Sequence, residues 1–138
     1  MNYSELWQKD SAKIENVISD KIIDAAIEVH KTLGGPGLLE SIYESALFHE
    51  LKLRNISVQS QVQIPLIYKG YNINAPLRLD LLVGQKVIVE IKATEKELSI
   101  HKAQVLTYLR LTGFKLGLVL NFGQERLIDV ITRVANYL

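Results

Sequence analysis

The first half of the chain carries two segments in which apolar residues recur at helical spacing. After a predicted cap at Ser19, apolar positions return every three or four residues and predict a helix that ends in the glycine-rich turn at residues 34–37. A second helix is predicted over about residues 38–54. Its apolar face consists of Leu39, Ile42, Tyr43, Ala46 and Leu47.

The period of the pattern changes to two after Ser57, which indicates strands. Three consecutive strands are predicted over residues 58–68, 77–83 and 86–92. A helix over 98–111 and a strand over 115–121 follow, and the tail at 124–138 fits a short strand that runs into a helix. The order α-α-βββ-α-β predicts an α/β fold with a mixed four-stranded sheet flanked by helices, in which the later helix is the crossover between parallel strands.

Composition limits the class of protein further. Residues 1–18 are polar and weakly periodic, so we interpret them as an N-terminal extension and residues 19–138 as one domain. A net charge of +1, from 16 basic and 15 acidic residues, gives no overall attraction to a polyanion, so a nucleic acid would need a local basic patch. The absence of cysteine excludes disulfides and thiolate zinc sites. No apolar leader or membrane span is visible, which favours a cytoplasmic protein without a membrane partner.

Three charged residues interrupt two runs that otherwise resemble buried strands, namely Asp80, Glu90 and Lys92. Burying such groups is costly unless they are paired or bind a metal. Side chains alternate along a strand, so Glu90 and Lys92 share a face. Two carboxylates beside a lysine are a pattern by which proteins bind a divalent metal next to a base or charge stabiliser. A simple ion pair on an exposed strand face is the alternative.

The loop between these two strands decides whether Asp80 and Glu90 can meet. A three-residue loop at 84–86 places them directly opposite each other. A two-residue type II′ turn, which the Gly84-Gln85 pair favours locally, would oppose Asp80 to Val89 and send Glu90 to the other face. We favour the three-residue loop or a β-bulge, because a metal needs both carboxylates on one side and bulges are frequent near active sites.

Other polar residues are candidates for the same site. On the predicted helix at 98–111, the residues His101, Gln104 and Tyr108 form a stripe that can face the carboxylates. For His101 alone, an ordinary position on the helix edge is the favoured interpretation. Glu40 and Glu44 lie near the start of the second helix, where the helix dipole by itself favours an acid.

Taken in order, these residues resemble the PD-(D/E)xK nuclease superfamily and, more narrowly, its GxxExxY branch. The naming motif is present as Gly37-Leu-Leu-Glu40-Ser-Ile-Tyr43. The resemblance covers about residues 22–136, and each motif is weak by itself but specific in combination. One departure is Pro76, which lies four residues before Asp80 instead of next to it. The other matching positions are His30, Asp80, Glu90-x-Lys92, His101-x-x-Gln104-x-x-x-Tyr108, Leu111-Thr-Gly113 and Asn121-Phe-Gly123.

The resemblance implies a restriction-endonuclease-like core and a role for each site residue. Asp80, Glu90 and the backbone carbonyl of Ile91 would bind magnesium or manganese, for which hard oxygen ligands are suited. Lys92 would position or help deprotonate the attacking water and offset charge in the transition state. Glu40 would orient a ligand water or hold a second metal, and Gln104 would supply the polar group of the following helix. Candidate substrate contacts are His101, Tyr108 and Arg78.

The expected function is therefore a metal-dependent nuclease that hydrolyses phosphodiester bonds in DNA with a metal-activated water. One alternative is a catalytically silent module that binds nucleic acid or protein on the same fold, although the intact Lys92 beside Glu90 argues against decay. Another alternative is a homodimeric structural protein. A homodimer would also suit the nuclease, since a second site is needed to cut both strands of a duplex. Cations that can cluster near the site are Arg54, Lys69, Arg78, Lys96, Lys102 and Arg110.

Overall fold

The fold was analysed in a computed structural model that describes residues 3–96 and 99–136, without the side chains of residues 3–13 and 130. It contains three helices, a 3-10 turn and five strands. The helices are α1 (Tyr3–Thr32), α2 (Glu40–Leu53) and α3 (Ser99–Thr112), and the 3-10 helix is Leu127–Val130. The strands are β1 (Val58–Tyr68), β2 (Tyr71–Val83), β3 (Val87–Lys92), β4 (Leu116–Asn121) and β5 (Ile131–Ala135).

The strands form one mixed sheet in the order β1-β2-β3-β4-β5. Only β3 and β4 are parallel within it, and α3 is the crossover that joins them, as predicted. The predicted number of four strands was wrong. In the tail the 3-10 helix comes first and β5 follows, pairing antiparallel with β4 from Ile131–Leu120 to Ala135–Leu116. Five residues are too short for periodicity alone to separate a strand from a helix.

Helix α1 begins well before the predicted cap. It runs through Ser19, whose side chain is fully buried and receives a hydrogen bond from Arg133 Nη1 at 3.1 Å. Because α1 starts at Tyr3 and Ser19 lies inside it, the predicted helix start at Ser19 was wrong. Weak apolar periodicity does not prevent a polar segment from continuing a helix whose later turns are packed. The division into an extension at 1–18 and a domain at 19–138 stays a prediction.

Two apolar layers enclose the sheet. Helices α1 and α2 pack on one face and α3 packs on the other, so the central strands β3 and β4 are buried at nearly every position. Members of the first layer, here called the α1/α2 layer, include Ile22, Ala26, Leu47, Leu81, Val83, Val89 and Leu118. Members of the second, here called the α3 layer, include Leu79, Leu82, Ile88, Val105, Leu109 and Val119.

The alternation of side chains along β2 changes at Asp80. Leu81 belongs to the α1/α2 layer and Leu82 to the α3 layer, as alternation requires, yet Leu79 also belongs to the α3 layer. Regular alternation along a strand predicts that Leu79 and Leu81 share a face, and the structure places them on opposite faces. Gln61 lies opposite Asp80 in the β1–β2 register. Its φ of 54° is outside the β region and makes β1 irregular at this position. Asp80 consequently lies where both layers can reach it.

No helix in the described parts of the chain has both the length and the apolar character needed to cross a membrane.

Candidate functional site

Asp80 and Glu90 lie opposite each other on neighbouring strands. The antiparallel register pairs Val83 with Val87 and Leu81 with Val89, so Asp80 and Glu90 are the next positions in line. The loop between the strands comprises residues 84–86, which confirms the three-residue loop and excludes the two-residue alternative. Gly84 and Gln85 both have positive φ, at 60° and 57°, so the turn has type I′ rather than type II′ geometry.

The two carboxylates bond to the backbone of the facing strand. Ile91 N–H donates to Asp80 Oδ2 at 2.8 Å, and Asp80 N–H makes a longer bond to Glu90 Oε1 at 3.4 Å. These bonds continue the connection of β2 and β3 beyond Leu81 and Val89. Each carboxylate is thereby oriented through one of its oxygens, while the second oxygen lies outside these bonds.

Lys92 shares the face of Glu90, as strand alternation predicts. Its Nζ lies 3.9 Å from Glu90 Oε2, and the two side chains are 18% and 6% exposed. This separation is longer than a hydrogen bond, so Lys92 offsets the charge of Glu90 without being hydrogen-bonded to it. Its ammonium is therefore near enough to act on a group bound at the carboxylates.

A third carboxylate reaches the pair from α2, and it belongs to Glu44. Burial, followed by the charge of Asp80, raises the pKa of Glu44, whereas a hydrogen bond from Gln61 Nε2 to Glu44 Oε2 at 2.7 Å opposes the shift. Glu40 lies one helical turn earlier at the exposed start of α2, where it lines a shallow depression with Ala93. Glu40 and Glu44 lie on the same side of α2, and the family resemblance assigns a role to Glu40 of the motif. The role assigned to Glu40 stays a prediction.

Two polar residues of α3 approach the same carboxylates. Gln104 Nε2 donates to the Tyr108 hydroxyl at 2.7 Å. Burial raises the pKa of Tyr108, and the negative charges of Glu90 and then Asp80 raise it further, which places the phenol near both acids. His101 lies one turn earlier on α3 and is partly buried. Arg78 is exposed on β2, near enough to Glu44 for its charge to lower the pKa of that carboxyl.

Burial and the closeness of the acids make ionisation of Glu90 unfavourable. Burial raises the pKa of Glu90 to about 8, and the charges of Asp80 and Glu44 add to the shift, while a backbone hydrogen bond and Lys92 oppose it. Carboxylate oxygens in such a place are suited to a hard cation such as Mg²⁺ or Mn²⁺. No three Asp, Glu or His side chains are grouped closely enough to hold a metal in the described segments. The carboxylates of Asp80 and Glu90, opposite each other and each with one oxygen outside the backbone bonds, are a pair of donors that suits such a cation.

Comparison with known families places most of the chain in one family. The family model described as PD-(D/E)XK nuclease superfamily matches residues 16–134. The chain belongs to the PD-(D/E)XK nuclease superfamily.

The fold is also found in a solved structure. The crystal structure of SSO0001 is similar at a TM-score of 0.56 and 22% sequence identity, over 71% of this chain and 50% of that chain. The present chain thus spans half the length of SSO0001, and the likeness concerns the fold alone. Among curated proteins no match to the chain was found. The mixed α/β architecture described above is consistent with the restriction-endonuclease-like fold of the superfamily.

Several motif residues of this PD-(D/E)XK chain support the site instead of entering it. Asn121 Oδ1 accepts hydrogen bonds from the backbone N–H groups of Thr94 and Gly123, both at 3.0 Å. Phe122 N–H donates to Lys92 O at 2.8 Å. A β carbon added at Gly123 would collide with the backbone of Thr94. The Asn-Phe-Gly motif therefore fixes the chain directly after Lys92 to the end of β4.

We predict that Gly123→Ala destabilises the protein by more than Gly113→Ala. Gly123 has no room for a β carbon against the Thr94 backbone, whereas Gly113 has only a positive φ of 83° and open space around it. The control should cost about 1 kcal/mol for the left-handed conformation, and Gly123→Ala should exceed that cost because backbone has to move. Urea denaturation of both variants is the measurement. Equal losses would contradict the close approach.

We predict that Gln61→Gly stabilises the protein less than Gln85→Gly does. Both variants relieve backbone strain, but only the first removes a hydrogen bond to Glu44. Gln61 and Gln85 have similar φ values of 54° and 57°, so glycine should relieve left-handed strain of about 1 kcal/mol at either position. Gln85→Gly should show the gain in urea denaturation. Gln61→Gly should fall short of it by about 1 kcal/mol because Glu44 loses its hydrogen-bond donor.

A second measurement checks the same pair of variants. The Gln61 bond lowers the pKa of Glu44, so the carboxyl signal of Glu44 in an NMR titration should shift to higher pH in Gln61→Gly and stay in place in Gln85→Gly. An unchanged Glu44 titration in both variants would show that Gln61 does not support this acid.

We predict that the metal-free protein loses stability as the pH rises from about 5 to about 8. Folded Glu90 keeps its proton up to a pKa of about 8, whereas in the unfolded chain it releases the proton near its ordinary value of 4.5. The folded state thus binds more protons in this window, and this group lowers the free energy of unfolding by up to about 1.4 kcal/mol per pH unit. Urea denaturation with EDTA at several pH values measures the slope.

Glu90→Gln should remove most of this slope, because the amide does not titrate. The matched control is Glu28→Gln on the exposed surface of α1, which should keep the wild-type slope. If Glu90→Gln and wild type lost stability in parallel, Glu90 would not be the group that holds the proton.

Proposed function

We propose that this chain is a magnesium- or manganese-dependent nuclease that hydrolyses phosphodiester bonds in DNA with a metal-activated water. The observation that carries the proposal is the placement of Asp80 opposite Glu90 on adjacent strands, with Lys92 on the same face as Glu90. Membership of the superfamily supports it. The narrower GxxExxY assignment is also proposed, on the motif from Gly37 to Tyr43.

The residues have distinct roles in this proposal. Asp80, Glu90 and the carbonyl of Ile91 would hold the metal, and the first two are already oriented by backbone hydrogen bonds. When bound, the metal would lower the pKa of a water and polarise the phosphate. Lys92 would orient that water, accept or relay its proton, and offset charge as the phosphorus becomes pentacovalent.

The helices would supply the remaining groups. Glu44 on α2 lies beside Asp80 and would orient a water bound to the metal. Glu40 is proposed for the same role, from its exposed position at the start of α2. Gln104 and Tyr108 form one hydrogen-bonded unit and would contact the scissile phosphate or the water. His101 and Arg78 are proposed as more distant substrate contacts.

The second candidate is a catalytically silent module that binds nucleic acid or protein through the same surface. The observation that favours it is the small number of metal-ligating side chains, since the described residues hold no group of three. A homodimer and a cytoplasmic location stay predictions under either function.

The protein should cleave labelled DNA when Mg²⁺ or Mn²⁺ is present. Two substitutions distinguish a residue that binds the metal from one that acts only in the cleavage step. Asp80→Asn should abolish cleavage and weaken Mn²⁺ binding in calorimetry, because a ligand charge is lost. Lys92→Met should lower the cleavage rate about 10²- to 10⁴-fold, as expected for loss of a proton-transfer group, and still bind Mn²⁺. The matched control is Lys31→Met on the exposed last turn of α1, which should leave both unchanged.

The outcomes separate the two functions. Absence of cleavage of DNA and RNA, with Mn²⁺ binding that Asp80→Asn does not alter, would refute the nuclease. Tight nucleic-acid binding without cleavage by the wild-type protein would favour the silent module.

A further inference from the structure

The hairpin of β1 and β2 continues far beyond the part of the sheet that is covered on both faces. Pairing of β2 with β3 ends at Leu81–Val89, whereas pairing of β2 with β1 continues to Tyr71–Tyr68. We call residues 62–78 the hairpin arm. It is a two-stranded ribbon whose strands lead directly out of the site, because the same β2 carries Asp80.

The tip of the hairpin arm exposes two aromatic rings. Tyr68 and Tyr71 face each other across the turn and are 61% and 69% exposed, so neither ring is covered by the rest of the described chain. Directly opposed residues of an antiparallel pair share a face, which makes the two rings one surface. Lys69 in the turn places its ammonium 5.4 Å from the Tyr68 ring centroid. Two uncovered rings side by side are a surface on which a flat apolar group can stack.

The charged residues of this region are all basic. The 29 residues from Leu51 to Leu79 contain no Asp or Glu, although 15 acids in 138 residues would place about three in a stretch of this length. The only charged residues of the hairpin arm are Lys69 and Arg78. Its other polar groups are mainly amides, from Gln63, Asn72 and Asn74.

These properties favour a nucleic acid over a second copy of the chain. Phosphates are attracted by a surface that has cations and no acids, and base faces stack on exposed aromatic rings. Two copies joined tip to tip would instead bring two Lys69 ammonium groups together without a carboxylate from either arm. The polymer cut at Asp80 would also have to continue past one side of the site, and the hairpin arm extends from that position.

We propose that the hairpin arm binds the nucleic acid that extends from the cleavage site, with phosphates near Arg78 and Lys69 and bases against Tyr68 and Tyr71. This rests on the proposed function for the polymer at Asp80. Seven residue steps of β1 separate Gln61, which lies opposite Asp80, from Tyr68, and they span about 23 Å at the rise of a strand, because β2 bulges between Ile73 and Leu77. At 3.4 Å per nucleotide along one strand of a duplex, this is the length of about seven nucleotides.

The test is the binding of fluorescein-labelled DNA of 4 and 12 nucleotides, single-stranded and duplex, followed by anisotropy in EDTA to prevent cleavage. The wild-type protein should bind the 12-mer more tightly than the 4-mer. The double variant Tyr68→Ser/Tyr71→Ser should weaken 12-mer binding at least tenfold, as loss of base stacking predicts, and leave 4-mer binding unchanged. A loss confined to single strands would indicate stacking on unpaired bases, and a loss confined to duplexes would indicate docking in a groove.

Matched controls remove the same kinds of surface elsewhere. Leu53→Ser/Ile128→Ser deletes two side chains that are 64% and 53% exposed, and it should not affect 12-mer binding. Lys69→Gln should weaken 12-mer binding and reduce the salt dependence of that binding. Lys21→Gln, at an exposed position of α1, should change neither the affinity nor its salt dependence. All of these positions are on the surface, so the variants should fold.

Hydrolysis of bis(p-nitrophenyl) phosphate, which is too small to reach the hairpin arm, separates this proposal from the proposed function. If the small ester and DNA both stay intact while the tyrosine variant loses 12-mer binding, the nuclease fails and the hairpin arm stands. If the tyrosine variant binds the 12-mer as tightly as wild type, or wild type binds neither length, the hairpin arm proposal is overturned. It is also overturned if sedimentation shows a dimer that the tyrosine variant converts to monomers with unchanged DNA binding.

Discussion

The hydrogen bond from Ile91 N–H to Asp80 Oδ2 is the interaction on which the site depends, because it requires β2 and β3 to be in one particular register. The loop at residues 84–86 sets that register. A shift by one residue would turn Glu90 towards the apolar α1/α2 layer and leave Lys92 on the other side of the sheet from Asp80. The identity of the loop residues thus matters to the chemistry although none of them is near it.

The buried Glu90 carboxylate lowers the free energy of unfolding of the metal-free protein when it is ionised. Glu90 is 5% exposed and its pKa rises to about 8, so the folded state resists its ionisation even though Lys92 is close. A buried ion pair of this geometry adds little to stability, and an apolar pair in its place would pack as well. The two apolar layers offset the cost, and a divalent cation would relieve it. Stability and function therefore impose opposite demands on Glu90.

Much of the fold follows from the sequence, because the short apolar runs at 86–92 and 115–121 and the helix between them identify β3, β4 and their parallel pairing. The features that escaped prediction have physical reasons. Local turn preference at Gly84-Gln85 pointed to the wrong loop, and only the need of a metal for two carboxylates on one face pointed to the right one. Gln61 adopts a left-handed conformation, which is usually signalled in a sequence by glycine. Since the residue is a glutamine, the sequence does not predict the change of face at Asp80. Glu44 lies beside the motif and not in it, so the resemblance gives a role to Glu40 and none to Glu44.

Tyr43, the last residue of the Gly37–Tyr43 motif, packs beneath the site. Tyr43 stacks on Phe122 with ring centroids 4.7 Å apart, and its hydroxyl donates to Gly35 O at 2.7 Å and accepts from Leu38 N–H at 3.2 Å. One aromatic ring thus joins the glycine-rich turn, the first turns of α2 and the end of β4. Since Glu44 follows Tyr43 directly, these contacts hold the part of α2 that carries the Glu44 carboxylate. A packed aromatic residue can in this way set the position of a neighbouring acid.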